Sequence, residues 1–189
     1  MSLFEFIAGM ISVIFALAVA QLFIGVAELV QHRGKVRPFL PHAVWNVNLF
    51  LLTFVHWWSL WTFRDLSWNF GMFFFSLLGP SLMFFAASVI NPRDQSEGVI
   101  DLTAHFLDIR RLFMVVFIAM MVLFTLDGPM FGTEPLFNPL RVAQMSVVGS
   151  AVWGSASKSR SVHTAISLLV FLALGAVVII RFFPGGGNG

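Results

Sequence analysis

The chain has 189 residues, 58% hydrophobic and 11% charged, with a mean hydropathy of +0.89; a soluble domain carries roughly 25% charged residues. Six apolar stretches of about 20 residues, the length that crosses a hydrocarbon core of about 30 Å, use roughly 120 positions and leave no room for a second domain. A soluble catalytic domain is therefore excluded. With no cysteine in the chain, so are disulfides, thiolate metal sites and cysteine nucleophiles.

The first span runs from Phe4 to Leu29 and ends at the basic turn His32-Arg33-Gly34-Lys35-Val36-Arg37. Ala18-Val19-Ala20 before Gln21 has the small-residue pattern of a signal-peptide cleavage site, but no Lys or Arg precedes the run and Glu5 stands where positive charge belongs. The segment reads as an uncleaved span. Pro38 and Pro41 reset the chain before a second span, Ala43 to Phe63, stopped by Arg64-Asp65; a third, Phe70 to Ile90, is stopped by Asn91-Pro92. A polar connection from Asn91 to Arg111 leads to a fourth span, Leu112 to Leu126, and a turn containing Gly128-Pro129 and Glu134-Pro135. Asn138-Pro139 reads as the cap and first position of a fifth, ending at Ala156, and the sixth runs from Val162 to Phe183. The expected fold is an all-α, polytopic transmembrane bundle of about six spans in one domain, residues 1–183, with a flexible Gly-rich tail, 184–189.

Assigning Lys and Arg to alternate sides puts Arg33, Lys35, Arg37, Arg93, Arg110, Arg111, Lys158 and Arg160 on one side against Arg64, Arg141 and Arg181. Positive charge is retained on the cytoplasmic side, so both termini are expected outside. The basic isoelectric point, near 9.9, is thereby explained by topology, with no nucleic acid as partner. The fifth segment is the least apolar, and were it re-entrant the C-terminus would move inside. No tandem repeat of three spans is evident.

Polar side chains within a bilayer cost free energy and mark sites or helix contacts. On the first span Ala18, Gln21, Gly25, Glu28 and His32 share one helical face; on the second, Asn46, Thr53 and Trp57 fall in a narrow arc flanked by Asn48 and His56. His56 stands out, because histidine is the side chain whose charge changes nearest neutral pH. Either these groups line a solute or proton path, or they bond neighbouring helices and His56 belongs to an aromatic belt with Trp57, Trp58 and Trp61. Pro80 removes the donor to the carbonyl of Ser76. Ser146, Ser150 and Gly154 form a small-residue strip whose ordinary meaning is close helix packing. The fourth and sixth spans, almost uniformly apolar, are expected to face lipid.

Before the fourth span, Val99, Leu102, Phe106 and Ile109 form one face of a helix, and Asp101, His105 and Asp108 another. This helix lies on the membrane or extends the fourth span. A His with two carboxylates has donors for a divalent cation, yet pairing with Arg110, Arg111 or the basic turn explains them equally, and no metal or cofactor is expected. No span contains a lysine for a retinal Schiff base, His56 and His163 lie near opposite faces, and neither a His-Glu-x-x-His nor a Gly-x-Ser-x-Gly pattern occurs. An enzyme is not expected.

Ala20-Gln21, the basic turn, Trp45, His56-Trp57-Trp58 with Trp61, Leu78-Gly79-Pro80, and Gly98-Val99-Ile100-Asp101-Leu102 through His105 together resemble a family of short, uncharacterised bacterial multi-pass membrane proteins. The resemblance covers the first 110 residues or so and implies a bacterial inner-membrane setting, with no activity attached.

Two functions follow as expectations. The first is a small-solute or ion transporter in which the first, second and fifth spans converge, with Gln21, Asn46, Thr53, His56 and Gln144 lining the path and Glu28 at its cytoplasmic mouth. Six short helices enclose little volume, so a homo-oligomer is compatible with it. The second is a non-transporting scaffold, sensor or docking subunit for a membrane partner, whose working surface is Asp101, His105, Asp108, Arg110 and Arg111.

Overall fold

Among the described residues, four of the six helices start on a polar cap that satisfies backbone N–H groups otherwise left without partners. These and the following features come from a computed structural model in which residues 2–93, 98–135 and 137–182 are described; the expected tail, 184–189, lies outside the described residues. Helix α1 (Leu3–Gln31) begins with a reciprocal capping box between Ser2 and Glu5. Helix α2 (Leu40–Ser59) has Pro41 in its first turn, where a missing N–H does no harm, and tightens into a 3-10 turn, Leu60–Phe63. Asn69 caps α3 (Phe70–Ile90), which runs through Pro80. Asp101 caps α4 (Leu102–Met130), Asn138 caps α5 (Pro139–Ala156), and α6 (Arg160–Phe182) follows.

The helices form a ring: α1 packs on α3, α3 on α4, α4 on α5, α5 on α6, α6 on α2, and α2 back on α1, with α2 also touching α3 and α4. Helices α1, α3, α4 and α6 are long and apolar enough to cross a membrane. Polar side chains on α2 and α5 keep those two below that level of hydropathy.

Packing follows helical periodicity. On α1 the buried residues are Ile7, Ile11, Phe15, Ala18, Leu22 and Gly25, one stripe, while Val13, Leu17, Phe23 and Ile24 are exposed. A surface this apolar is suited to acyl chains. The expectation that the fourth span faces lipid is corrected: half of the apolar window of α4 is buried, against 22% in α6. The physical reason is aromatic packing. Trp45 of α2 meets Phe113 and Phe117 of α4 edge-on, with ring centroids 5.1 and 4.8 Å apart, a favoured arrangement of ring quadrupoles.

The stretch before the expected fourth span is the first part of α4, continuous with the rest of the helix. Just ahead of it, two-residue strands β1 (Val36–Arg37) and β2 (Ile100–Asp101) pair in parallel, Val36 opposite Ile100. This pairing ties the basic turn to the start of α4. Two residues are too few for a periodic signal, and the sequence pattern did not disclose them.

Candidate functional site

A cavity of about 720 Å³ lies between α2, α4, α5 and α6, at the end of the bundle remote from the basic turn. Most of its wall is apolar, including Leu52, Phe117, Met121, Val170 and Leu174, and its polar groups are few: chiefly His56, Asp127, Glu134, Arg141 and Gln144. This volume and mixture match the usual small-molecule pocket of about 300–1,000 Å³ with a few placed polar groups.

His56 sits in the last turn of α2 and Asp127 in the last turn of α4. His56 Nε2 lies 3.1 Å from Asp127 Oδ2, with the two side chains 12% and 10% exposed. Nε2 is thus the ring atom turned toward the carboxylate, and the two groups are in ion-pair contact. Phe124, one turn before Asp127, stacks on the imidazole at a centroid separation of 3.5 Å and 17° between planes, and Phe15 of α1 meets it edge-on at 5.9 Å. Phe124 reaches this position because Gly79 of α3 has no side chain: a Cβ there would collide with the phenyl ring.

Arg141 occupies the first turn of α5 and is 5% exposed. Its Nη2 donates to Glu134 Oε2 at 2.9 Å, and its Nη1 to the carbonyl of Thr125 and, at 3.4 Å, to Gln144 Oε1. Gly128 makes room for the guanidinium, since a Cβ there would lie 2.6 Å from Nη2. Glu134 is presented by the turn after α4, where Gly132 has φ +70, a left-handed conformation that glycine adopts without strain. The Glu134 carboxylate, the Thr125 carbonyl and Gln144 thus take up the two Nη groups of this buried charge, while its Nε has no hydrogen-bond partner among the described residues.

Of the residues expected to line a path, His56 and Gln144 do line this cavity. Asn46 and Thr53 are engaged elsewhere in the core. Asn46 accepts from Asn91 Nδ2 at 2.9 Å and donates to the carbonyl of His42 at 3.0 Å, and Thr53 donates to the carbonyl of Leu49. Gln21 and Glu28 are half-buried on α1 and not part of the cavity wall. The expected convergence of the first, second and fifth spans is corrected accordingly: α1 and α5 are not neighbours in the ring, and α4 and α6 complete the enclosure instead.

Asp127, Glu134 and Arg141 were not among the expected site residues. Asp127 follows the apolar run directly and reads as part of a Gly-Pro turn, and Arg141 reads as a topological charge. The available signal was helical phase, since Asp127 is three residues from Phe124 on the face of α4 that continues its buried stripe.

At the other end, the expected surface set is divided. Asp108 and Arg111 are exposed. Arg110 is a correction, being 8% exposed with its guanidinium turned onto the carbonyl of Leu107, because a buried charge takes the nearest acceptor. His105 and His42 both point Nε2 at the carbonyl of Ile90, at 3.0 and 3.1 Å. Asp101 accepts from the backbone N–H groups of Thr103 and Ala104 and lies 3.9 Å from Arg37. The Ala104 N–H foremost, with that of Thr103 and the positive charge of Arg37 assisting, holds its carboxyl below the usual 3.8. Among the described residues, no group of three His, Asp or Glu is placed to hold a metal ion. The small-residue strip of α5 makes its closest approach at Gly154, against Ile166 and Met114. No protein-family model, curated protein or solved structure matches the chain.

Proposed function

We propose that the protein is a six-span transporter or permeation protein of the bacterial inner membrane, with both termini outside, that takes a small solute or ion into the cavity between α2, α4, α5 and α6. The observation that carries this reading is the His56–Asp127 pair, 3.1 Å apart in the wall of a cavity of about 720 Å³. An ionisable pair at the edge of an apolar interior is expensive and is typically kept where solute or protons pass. The eight-to-three partition of Lys and Arg supports the orientation; in that orientation the cavity opens in the outward half.

The scaffold reading draws support from a different place, the Asn46–Asn91 bond and the back-bonded Thr53, which act as glue between and within helices. Proteoliposomes loaded with a pH-sensitive dye and exposed to a panel of ions and small solutes distinguish the two. A transporter gives a flux that Asp127→Asn removes from folded protein. A scaffold gives none across the panel.

A further inference from the structure

The cavity's charges are unevenly matched. Arg141 is paired with Glu134 at 2.9 Å, whereas Asp127 has, among the described residues, one ion-pair partner within 4 Å, His56. A neutral imidazole gives Asp127 a polar neighbour but no countercharge; an imidazolium gives both. Among the described residues of the cavity wall, the one other positive group is the guanidinium of Arg141, whose charge is matched by Glu134. Helix α1 contributes Phe15, α4 contributes Phe124 and Asp127, and the α6 wall is Val170, Ala173, Leu174 and Val177; Arg141 and Glu134 close the α5 side. One positive charge is therefore missing whenever His56 is neutral. The remaining wall is aliphatic and aromatic, with Phe117, Phe124 and Met121 able to face a cation or its apolar body.

Resting on the transport reading, we infer that the cavity binds a monovalent organic cation with an apolar body, its charge held at Asp127, in exchange for the proton carried by His56. The cation and the imidazolium proton are alternative countercharges for the same carboxylate. Binding from the protonated state releases that proton to solvent, so one positive charge enters as one leaves. An anion of the same shape would put like charge beside Asp127, while the charge of Arg141 is already matched by Glu134 and both its Nη groups are engaged by Glu134, the Thr125 carbonyl and Gln144.

The test is equilibrium binding of tetraphenylphosphonium to the purified full-length protein in detergent, between pH 5.5 and 8.5, with tetraphenylborate as the anionic control of the same shape. The expected result is saturable binding of the phosphonium whose affinity rises with pH across this range, by up to about tenfold per unit for a one-proton exchange, with no matching site for the borate. Asp127→Asn should weaken binding at least about tenfold. His56→Gln, which keeps a donor toward Asp127, should bind while losing the pH dependence. Equal binding of the borate, a flat pH profile in the unmodified protein, or unchanged affinity in Asp127→Asn would overturn the inference. Binding in detergent needs no second compartment, so a missing site and a missing flux are separate results.

Discussion

The imidazole of His56 lies flat against the phenyl ring of Phe124, centroids 3.5 Å apart, while its Nε2 meets Asp127 at 3.1 Å. Both partners come from α4, so one helix sets the ring plane and the ion-pair contact of a side chain on another. The position of that helix depends in turn on Gly79 of α3.

Gly79→Ala should therefore disturb the site from a distance. The added methyl collides with Phe124, and overpacking of this kind costs about 1–3 kcal/mol. A lower unfolding midpoint in detergent is expected, and Gly79→Ala combined with Phe124→Leu should recover part of it, since neighbouring changes do not add. Strict additivity would count against this contact.

Arg141 and Glu134 form the second test. Removing one partner of a buried pair costs about 3–5 kcal/mol because the other charge is stranded. Arg141→Met and Glu134→Gln should each lower thermal stability more than the double variant does. A double-mutant cycle reads the coupling directly.

At the start of α4 the prediction concerns pH. The folded carboxyl of Asp101 is held below its usual 3.8 by the backbone N–H of Ala104, then that of Thr103 and the charge of Arg37. Its contribution to stability is present above that usual value and is lost as pH falls through the lower folded one. Asp101→Asn keeps an oxygen that caps the helix, so it should retain the helix start at neutral pH while flattening acid sensitivity in a circular-dichroism titration between pH 5 and 2.

Asn46 separates glue from path. Asn46→Ala leaves Asn91 Nδ2 without its acceptor, at an expected cost of about 0.6–2 kcal/mol for an interhelical bond, and should leave any flux unchanged. Gln144→Ala, on the cavity wall beside Arg141, should alter flux with less effect on stability.

These contrasts follow from what a sequence pattern can and cannot carry. The third and fifth helices, Phe70–Ile90 and Pro139–Ala156, match the residues read from stops, caps and prolines, because Asn91-Pro92, Asn138 and Pro139 act on the local backbone. The singling out of His56 and Gln144 was legible because polar groups in an apolar run are conspicuous. Their partners were not. Which faces meet depends on ring order, and the aromatic contacts of Trp45 with Phe113 and Phe117 that draw α4 inward join residues more than sixty positions apart. Asn46 and Thr53 were equally conspicuous, yet they are satisfied by Asn91 and by the carbonyl of Leu49. Polarity announces a requirement for a partner, not which partner meets it.

The most direct measurement is flux in oriented proteoliposomes for three proteins side by side: unmodified, Asp127→Asn and Asn46→Ala, each shown to be folded. The account predicts flux that is lost in Asp127→Asn and retained in Asn46→Ala. Flux that survives Asp127→Asn, or that falls equally in both variants, would contradict it.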